Sequence, residues 1–199
     1  MILMSQLDTG DVLLFESNYT GSFGWWAKIV SFVTGSKWTH VALILKDPVY
    51  IDKSYRGLYV LECGSEEWAD KWGVIVSPYE KVVSDTSHKR ISCRKLETNI
   101  DLSEDKLKVI WNTIEGKQYD TNPIELVAIQ LRNRWLANPR KLDKFVCSTL
   151  VAYVYTALGF LPRETNWFFF EPWHFSDANT KLQTQNCLLG KEISIKNNT

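Results

Sequence analysis

The sequence contains few cysteines, and none of them lies close to another. The four occur at widely spaced positions with no Cys-x-x-Cys pair: Cys63, Cys93, Cys147 and Cys187. Four such residues are too few for a disulfide scaffold, and their spacing does not fit a structural zinc site. We therefore expect reduced thiols in a cytosol-like compartment, with no bound metal and no other cofactor.

The chain also lacks an excess of either charge. Lys and Arg together number 23, and so do Asp and Glu. A balanced chain has no net field that attracts nucleic acid, so we expect no nucleic-acid partner. Hydrophobic residues make up 45% of the sequence and charged residues 23%, as in ordinary globular proteins. A chain of 199 residues can form one well-buried core. We expect a single domain over 1–199, with a core at about 7–175 and a polar tail, 191–199, that frays.

Long apolar runs are absent as well. The one membrane candidate, from Phe145 to Leu161, is uncharged but shorter than the ~20 residues of a spanning helix. It also contains hydroxyl and thiol side chains, so we interpret it as a buried helix rather than a transmembrane segment. The first residues, MILMSQLDTGD, lack a basic region followed by a long apolar stretch. We therefore expect no secretory signal.

Strand patterns fill the first half of the chain and helix patterns the second. Apolar, strand-favouring segments occur at 12–15, 38–45, 58–63, 73–76 and 91–96. Helical spacing of apolar residues occurs in four segments: 23–30, 101–114, from Asn122 onward, and about 145–158 before Gly159. In the second segment Asp101 can cap the helix, with Glu104 three residues later. Short linkers favour an antiparallel meander. We predict an α+β fold, in which an antiparallel sheet of about five strands packs on a buried helix that carries Cys147.

Cys147 stands at or near the first turn of that helix. A thiol there faces free backbone N–H groups and the positive end of the helix dipole, which favour the thiolate. The same N–H groups can hold a developing oxyanion. A buried, inert cysteine is the alternative interpretation.

His40 and Glu62 are isolated polar residues in two neighbouring apolar strands. If the strands form a hairpin in which 40 faces 62, 42 faces 60 and 44 faces 58, the carboxylate reaches the imidazole. This arrangement supplies a base and the group that orients it. A satisfied structural histidine and a solvent-facing glutamate are the alternatives.

Four motifs together resemble the circularly permuted NlpC-type papain-like superfamily, which includes YiiX/YaeF-like proteins and poxvirus relatives. They are TGDVL from Thr9, GSKWTHVAL from Gly35, VLE at 60–62 and VCSTLV from Val146. The resemblance covers roughly 7–172. It implies a papain-like thiol (Cys-His-Glu) hydrolase or acyltransferase in which Cys147 is the nucleophile, His40 the base and Glu62 the third member. The expected reaction cleaves an amide or ester bond, in a peptide-like or lipid acyl substrate, through a thioester.

Two positions depart from the family pattern. Thr39 replaces the Ser that usually precedes the family's His, and the connection from His40 to Glu62 is long, so Asp52 is a rival third member. Tyr119 and Asp120 resemble a family segment near the substrate pocket.

The nine tryptophans and the run from Trp167 to Phe175 give the chain an aromatic excess. This run can be a loop over the core, an acyl pocket or a surface for a protein partner. A non-catalytic structural or host-interaction protein, such as a component of a large-DNA-virus particle, is therefore the alternative function. The expected location is cytoplasmic or in a virion.

Overall fold

The computed structural model describes residues 3–18, 35–66, 71–120 and 143–197. Within these ranges the protein is α+β, with a six-stranded antiparallel sheet in the order β4-β3-β2-β1-β5-β8 and three α-helices. The sheet strands are β1 (Val12–Ser17), β2 (His40–Lys46), β3 (Leu58–Glu66), β4 (Lys71–Pro78), β5 (His88–Thr98) and β8 (Cys187–Asn197). The helices are α1 (Tyr79–Ser84), α2 (Glu104–Ile114) and α3 (Cys147–Ala157), and a short parallel pair joins β6 (Gln118–Tyr119) to β7 (Lys144–Phe145).

Alternation along the strands divides the core between the two faces of the sheet. One face, with Val41 and Leu43 of β2, packs in a single cluster with α3 and the buried side of α2. The opposite face, with Ala42 and Ile44, is covered by α1 through Tyr79 and other buried residues. The central strands are therefore apolar on both faces, which explains their nearly continuous hydrophobic sequences.

The Gly10-Asp11 turn has a structural explanation. The Asp11 carboxylate is fully buried and accepts hydrogen bonds from the backbone N–H groups of Asp8 (2.8 Å) and Leu96 (2.9 Å) and from the ammonium of Lys95. Gly10 has φ +92°, and a Cβ there would lie 2.5 Å from Leu96 Cδ2. The motif therefore joins the start of β1 to β5.

The sheet has one strand more than predicted. β8 pairs along its length with β5, so the expectation that the tail from 191 frays is wrong up to Asn197. The buried guanidinium of Arg94 reinforces this pairing, because it donates to the carbonyl oxygens of Leu189 (2.7 Å), Gly190 (2.6 Å) and Phe175 (2.8 Å). Those bonds compensate for the burial of a charged side chain.

The predicted helix from Asp101 begins later, at Glu104, with Ser103 in the N-cap position. Asp101 does not cap it; its carbonyl oxygen accepts a bond from Lys106 Nζ at 3.1 Å. The helices predicted at 23–30 and from Asn122 lie outside the described residues.

The helix α3 is enclosed as its all-round apolar sequence predicts. It ends before Gly159, whose φ of +79° is the left-handed conformation common after helices. The chain then returns along α3 as two 3₁₀ turns, Trp167–Phe169 and Pro172–Phe175, which we call the aromatic run. No helix in the described ranges is long and apolar enough to cross a membrane.

Candidate active site

Cys147 is the first residue of α3, and its side chain is buried. Its sulfur accepts hydrogen bonds from the backbone N–H groups of Ser148, in the same helical turn, and of Val41, in β2. The start of α3 therefore presents one of its free N–H groups, that of Ser148, to the sulfur. The bond from Val41 adds a donor from the sheet. It also attaches the start of α3 to the beginning of β2.

His40 is the first residue of β2 and lies between the thiol and a carboxylate. Its Nε2 is 2.6 Å from Glu62 Oε2, and the imidazole also shares a hydrogen bond with Cys147. Because Nε2 is engaged by Glu62, Nδ1 is the ring nitrogen left for the sulfur. The ring of Phe15, its partner across the strands, packs on it with 5.2 Å between ring centroids. The three sequence-predicted residues are thus in contact in the order Cys147, His40, Glu62.

The strand register that produces this contact differs from the predicted one. Ile44 pairs with Val60 rather than with Leu58, so β3 is displaced by two residues. A displacement of two leaves every side chain on its expected face, and His40 and Glu62 become diagonal neighbours. Gly64 occupies the space beside them: a Cβ there would be 3.8 Å from both His40 Cε1 and Glu62 Oε2.

The site favours a charged pair. Burial by itself would raise the pKa of the Cys147 thiol, but the charge of His40 and the hydrogen bonds from His40, Val41 and Ser148 outweigh it and lower that pKa below 9.0. Burial would likewise lower the pKa of His40, yet Cys147 and Glu62 raise it to about 10. Both shifts, the lowered pKa of the thiol and the raised pKa of the imidazole, favour a thiolate beside an imidazolium.

Two hydroxyl side chains fix the start of α3. Thr149 Oγ1 accepts from the N–H of Val146 and donates to its carbonyl, both at 3.0 Å, which closes the turn that carries Cys147. Ser148 Oγ donates to the carbonyl oxygen of Phe170 at 2.6 Å and thereby attaches the aromatic run to the residue next to the nucleophile. The sequence motif Cys-Ser-Thr therefore contains the candidate nucleophile and two residues that fix the turn around it.

Tyr119 is part of the site's electrostatic environment. Burial, together with the charges of Cys147, Cys63 and Asp120, raises the pKa of its phenol, so the hydroxyl stays protonated and can donate. Its segment lies close to the sheet because the Gly73 Cα has no Cβ: one built there would be 2.2 Å from Lys117 O. Tyr119 was expected near a pocket only from the family resemblance, and no local sequence pattern shows the contribution of Gly73.

Asp52, the rival third member, does not lie beside His40. It is exposed on the connection between β2 and β3, where its Oδ1 accepts from the backbone and hydroxyl of Ser54 at 2.8 and 2.7 Å. Those two hydrogen bonds lower the pKa of its carboxyl. Its contacts are those of a turn residue.

The other thiols have the opposite electrostatics to Cys147. Burial raises the pKa of Cys63, of Cys93 (to about 12) and of Cys187. Cys63 Sγ donates to Phe145 O at 3.1 Å, on the face of the sheet that packs against α3. In the described part of the chain no three His, Cys, Asp or Glu side chains are grouped so that they could hold a metal ion.

The two remaining histidines contact residues close to them in the sequence. His88 faces Asp85 across 3.8 Å, and His174 Nδ1 accepts from the backbone N–H of Glu171 at 2.9 Å.

No known family model matches this sequence, and no curated protein is significantly similar to it.

Proposed function

We propose that the protein is a papain-like cysteine hydrolase or acyltransferase that cleaves an amide or ester bond through a thioester intermediate. The observation that carries this proposal is the contact of a low-pKa thiol at a helix start with an imidazole that a carboxylate holds at 2.6 Å. A merely structural cysteine in an apolar core has a raised pKa, as Cys63 has.

In the first half of the reaction the Cys147 thiolate attacks the carbonyl carbon, and a C–S bond forms. The electron pair of the C=O bond moves to oxygen, where N–H groups of the first turn of α3 and the protonated phenol of Tyr119 are candidate donors. As the carbonyl re-forms, the bond to the leaving nitrogen or oxygen breaks. The His40 imidazolium gives its proton to that atom, which leaves a thioester on Cys147.

In the second half His40, now neutral, takes a proton from water or from another nucleophile that attacks the thioester carbonyl. The C–S bond breaks, the thiolate is restored and the acyl group leaves as an acid or on its new acceptor. Glu62 keeps the proton of Nε2 in place and so fixes the tautomer that presents Nδ1 to the sulfur. Water yields hydrolysis, and an alcohol or amine yields acyl transfer.

The resemblance to permuted NlpC-type proteins supports the same reaction class and suggests peptide-like amides or lipid esters as substrates. It also motivates a cytoplasmic or virion location. The alternative, a structural or host-interaction protein, has support from the aromatic run as a protein-binding surface, but it gives no reason for the low pKa of Cys147.

The decisive experiment combines two labels on the intact protein. At pH 7, iodoacetamide should alkylate Cys147 before the other three cysteines, and an activated acyl ester should leave a hydroxylamine-sensitive adduct on Cys147. Intact and peptide mass spectrometry locate both adducts, and Cys147→Ala is the control. Equal labelling of all four thiols without acylation would refute the proposal and favour the structural alternative.

A further inference from the structure

A cavity of about 400 Å³ lies beside the aromatic run. Three stretches of chain line it: the segment after α3 with Leu161 and Pro162, the run itself, and residues 179–183. This volume is near the lower limit of small-molecule sites. A cavity of this size can hold a one-ring molecule.

One wall of the cavity consists of aromatic rings in fixed positions: Phe170, Trp173 and His174. Trp173 stacks on His174 with 4.2 Å between centroids, and Phe170 lies 5.5 Å from the same imidazole. Glu171 holds two of these rings: its carboxylate accepts a hydrogen bond from the Trp173 indole N–H, and its backbone N–H donates to His174 Nδ1. A wall of rings held in this way is preorganised for a flat apolar group.

The charge of the lining is one-sided. Among the described residues that border the cavity, Lys181 is the one ammonium or guanidinium, and there is no carboxylate. His174 Nδ1 accepts a hydrogen bond from the backbone N–H of Glu171. Asn179 and Gln183 add amide groups on the side of Lys181. The chemistry of the site therefore suits a flat group that carries a negative charge.

One residue, Phe170, borders the cavity and also contacts the start of α3. The ring of Phe170 lines the cavity, while its carbonyl oxygen is bonded to Ser148, next to Cys147. We propose that the cavity binds the acyl group of the substrate, and that this group is a small aromatic ring that carries a free carboxylate. The part of this inference that assigns the cavity to the substrate rests on the proposed function, whereas the binding itself does not.

Binding is tested with 4-fluorobenzoate and its neutral analogue 4-fluorobenzamide, observed by ¹⁹F NMR on the Cys147→Ala protein. The benzoate should bind with a dissociation constant of about 1–10 mM, as a fragment of this size allows. Lys181→Met should weaken binding of the benzoate by about two- to fivefold and leave binding of the benzamide unchanged. Trp173→Leu should weaken both by about two- to tenfold. Lys191→Met and Trp72→Leu, at exposed positions, are the matched controls.

The reaction is tested by acylation of unmodified Cys147 with the 4-nitrophenyl esters of 4-carboxybenzoate and acetate. The carboxybenzoate should be preferred, and Lys181→Met should reduce that preference by the same two- to fivefold. Benzoate binding that is absent, or unaffected by both cavity variants, overturns the site. If benzoate binding responds to the cavity variants but the ester preference does not, the assignment of the cavity to the substrate is overturned. Binding without acylation by any ester refutes the proposed function and leaves the cavity as a ligand site.

Discussion

Replacing His40 with Gln tests the electrostatic basis of the site. His40 supplies the largest influences that lower the pKa of the Cys147 thiol, while burial raises it. Without the imidazole, that pKa should return toward its ordinary value of 9.0, at which only about 1% of the thiol is ionised at pH 7. Because iodoacetamide reacts with the thiolate, the alkylation rate measures this change directly.

The magnitude follows from two opposing terms. Each unit by which His40 lowers the pKa of Cys147 toward the assay pH of 7 gives about tenfold more thiolate. A more acidic thiolate is intrinsically less nucleophilic, with a slope of about 0.4–0.5, so about half of each power of ten is lost. We expect His40→Gln to alkylate more slowly at pH 7, by about threefold for each such unit.

The assay is the second-order alkylation rate of Cys147 from pH 5 to 11, read by mass spectrometry. In the unmodified protein the rate should rise at a pH below 9.0 and then stay level, because the thiolate persists. Turnover should differ, since it requires the imidazolium as acid and should fall above a pH of about 10, where His40 loses its proton. Identical midpoints for alkylation in the unmodified protein and in His40→Gln would refute the reasoning.

Two further substitutions address the carboxylate and the sheet. Glu62→Gln should keep the melting temperature and reduce kcat by about 10²–10⁴-fold, because the tautomer of His40 is no longer fixed. Asp52→Asn should leave kcat unchanged. If Asp52→Asn reduced kcat and Glu62→Gln did not, the third role would belong to Asp52. Arg94→Met should lower the free energy of unfolding in urea by about 2–4 kcal/mol, because three carbonyl oxygens lose their donor. The exposed Arg56→Met is its control, and equal stability of these two variants would contradict the role assigned to Arg94.

Local sequence signals identified most of the fold. The five strands of the first half and the enclosed helix carry strong apolar patterns with turn residues at their ends, and each is present. β8 was missed because its sequence from Leu188 to Asn197 mixes charged and apolar residues, so it resembles a solvated tail. Its pairing depends on β5 and on the buried Arg94, which are about a hundred residues earlier in the chain.

The contact of His40 with Glu62 was predictable even though the pairing was wrong, because the side-chain period of a strand is two. Any even displacement of β3 keeps both residues on one face, and a long carboxylate can reach a diagonal neighbour. An odd displacement would have moved Glu62 to the face of Cys63 and separated it from the imidazole. Such a slip would also exchange the faces of Val60 and Leu61, which pack in separate clusters on the two sides of the sheet.

The surroundings of the thiol could not be predicted in the same way. The position of Cys147 at a helix start follows from a local transition between apolar strand and helix, and its neighbours Ser148 and Thr149 are adjacent in sequence. The position of Tyr119 depends on β6 pairing with β7 and on the missing Cβ of Gly73, which admits Lys117 O to within hydrogen-bond distance of Val74 N, 2.9 Å. A glycine with φ +136° in a strand signals a close approach, but only the folded chain shows which segment approaches.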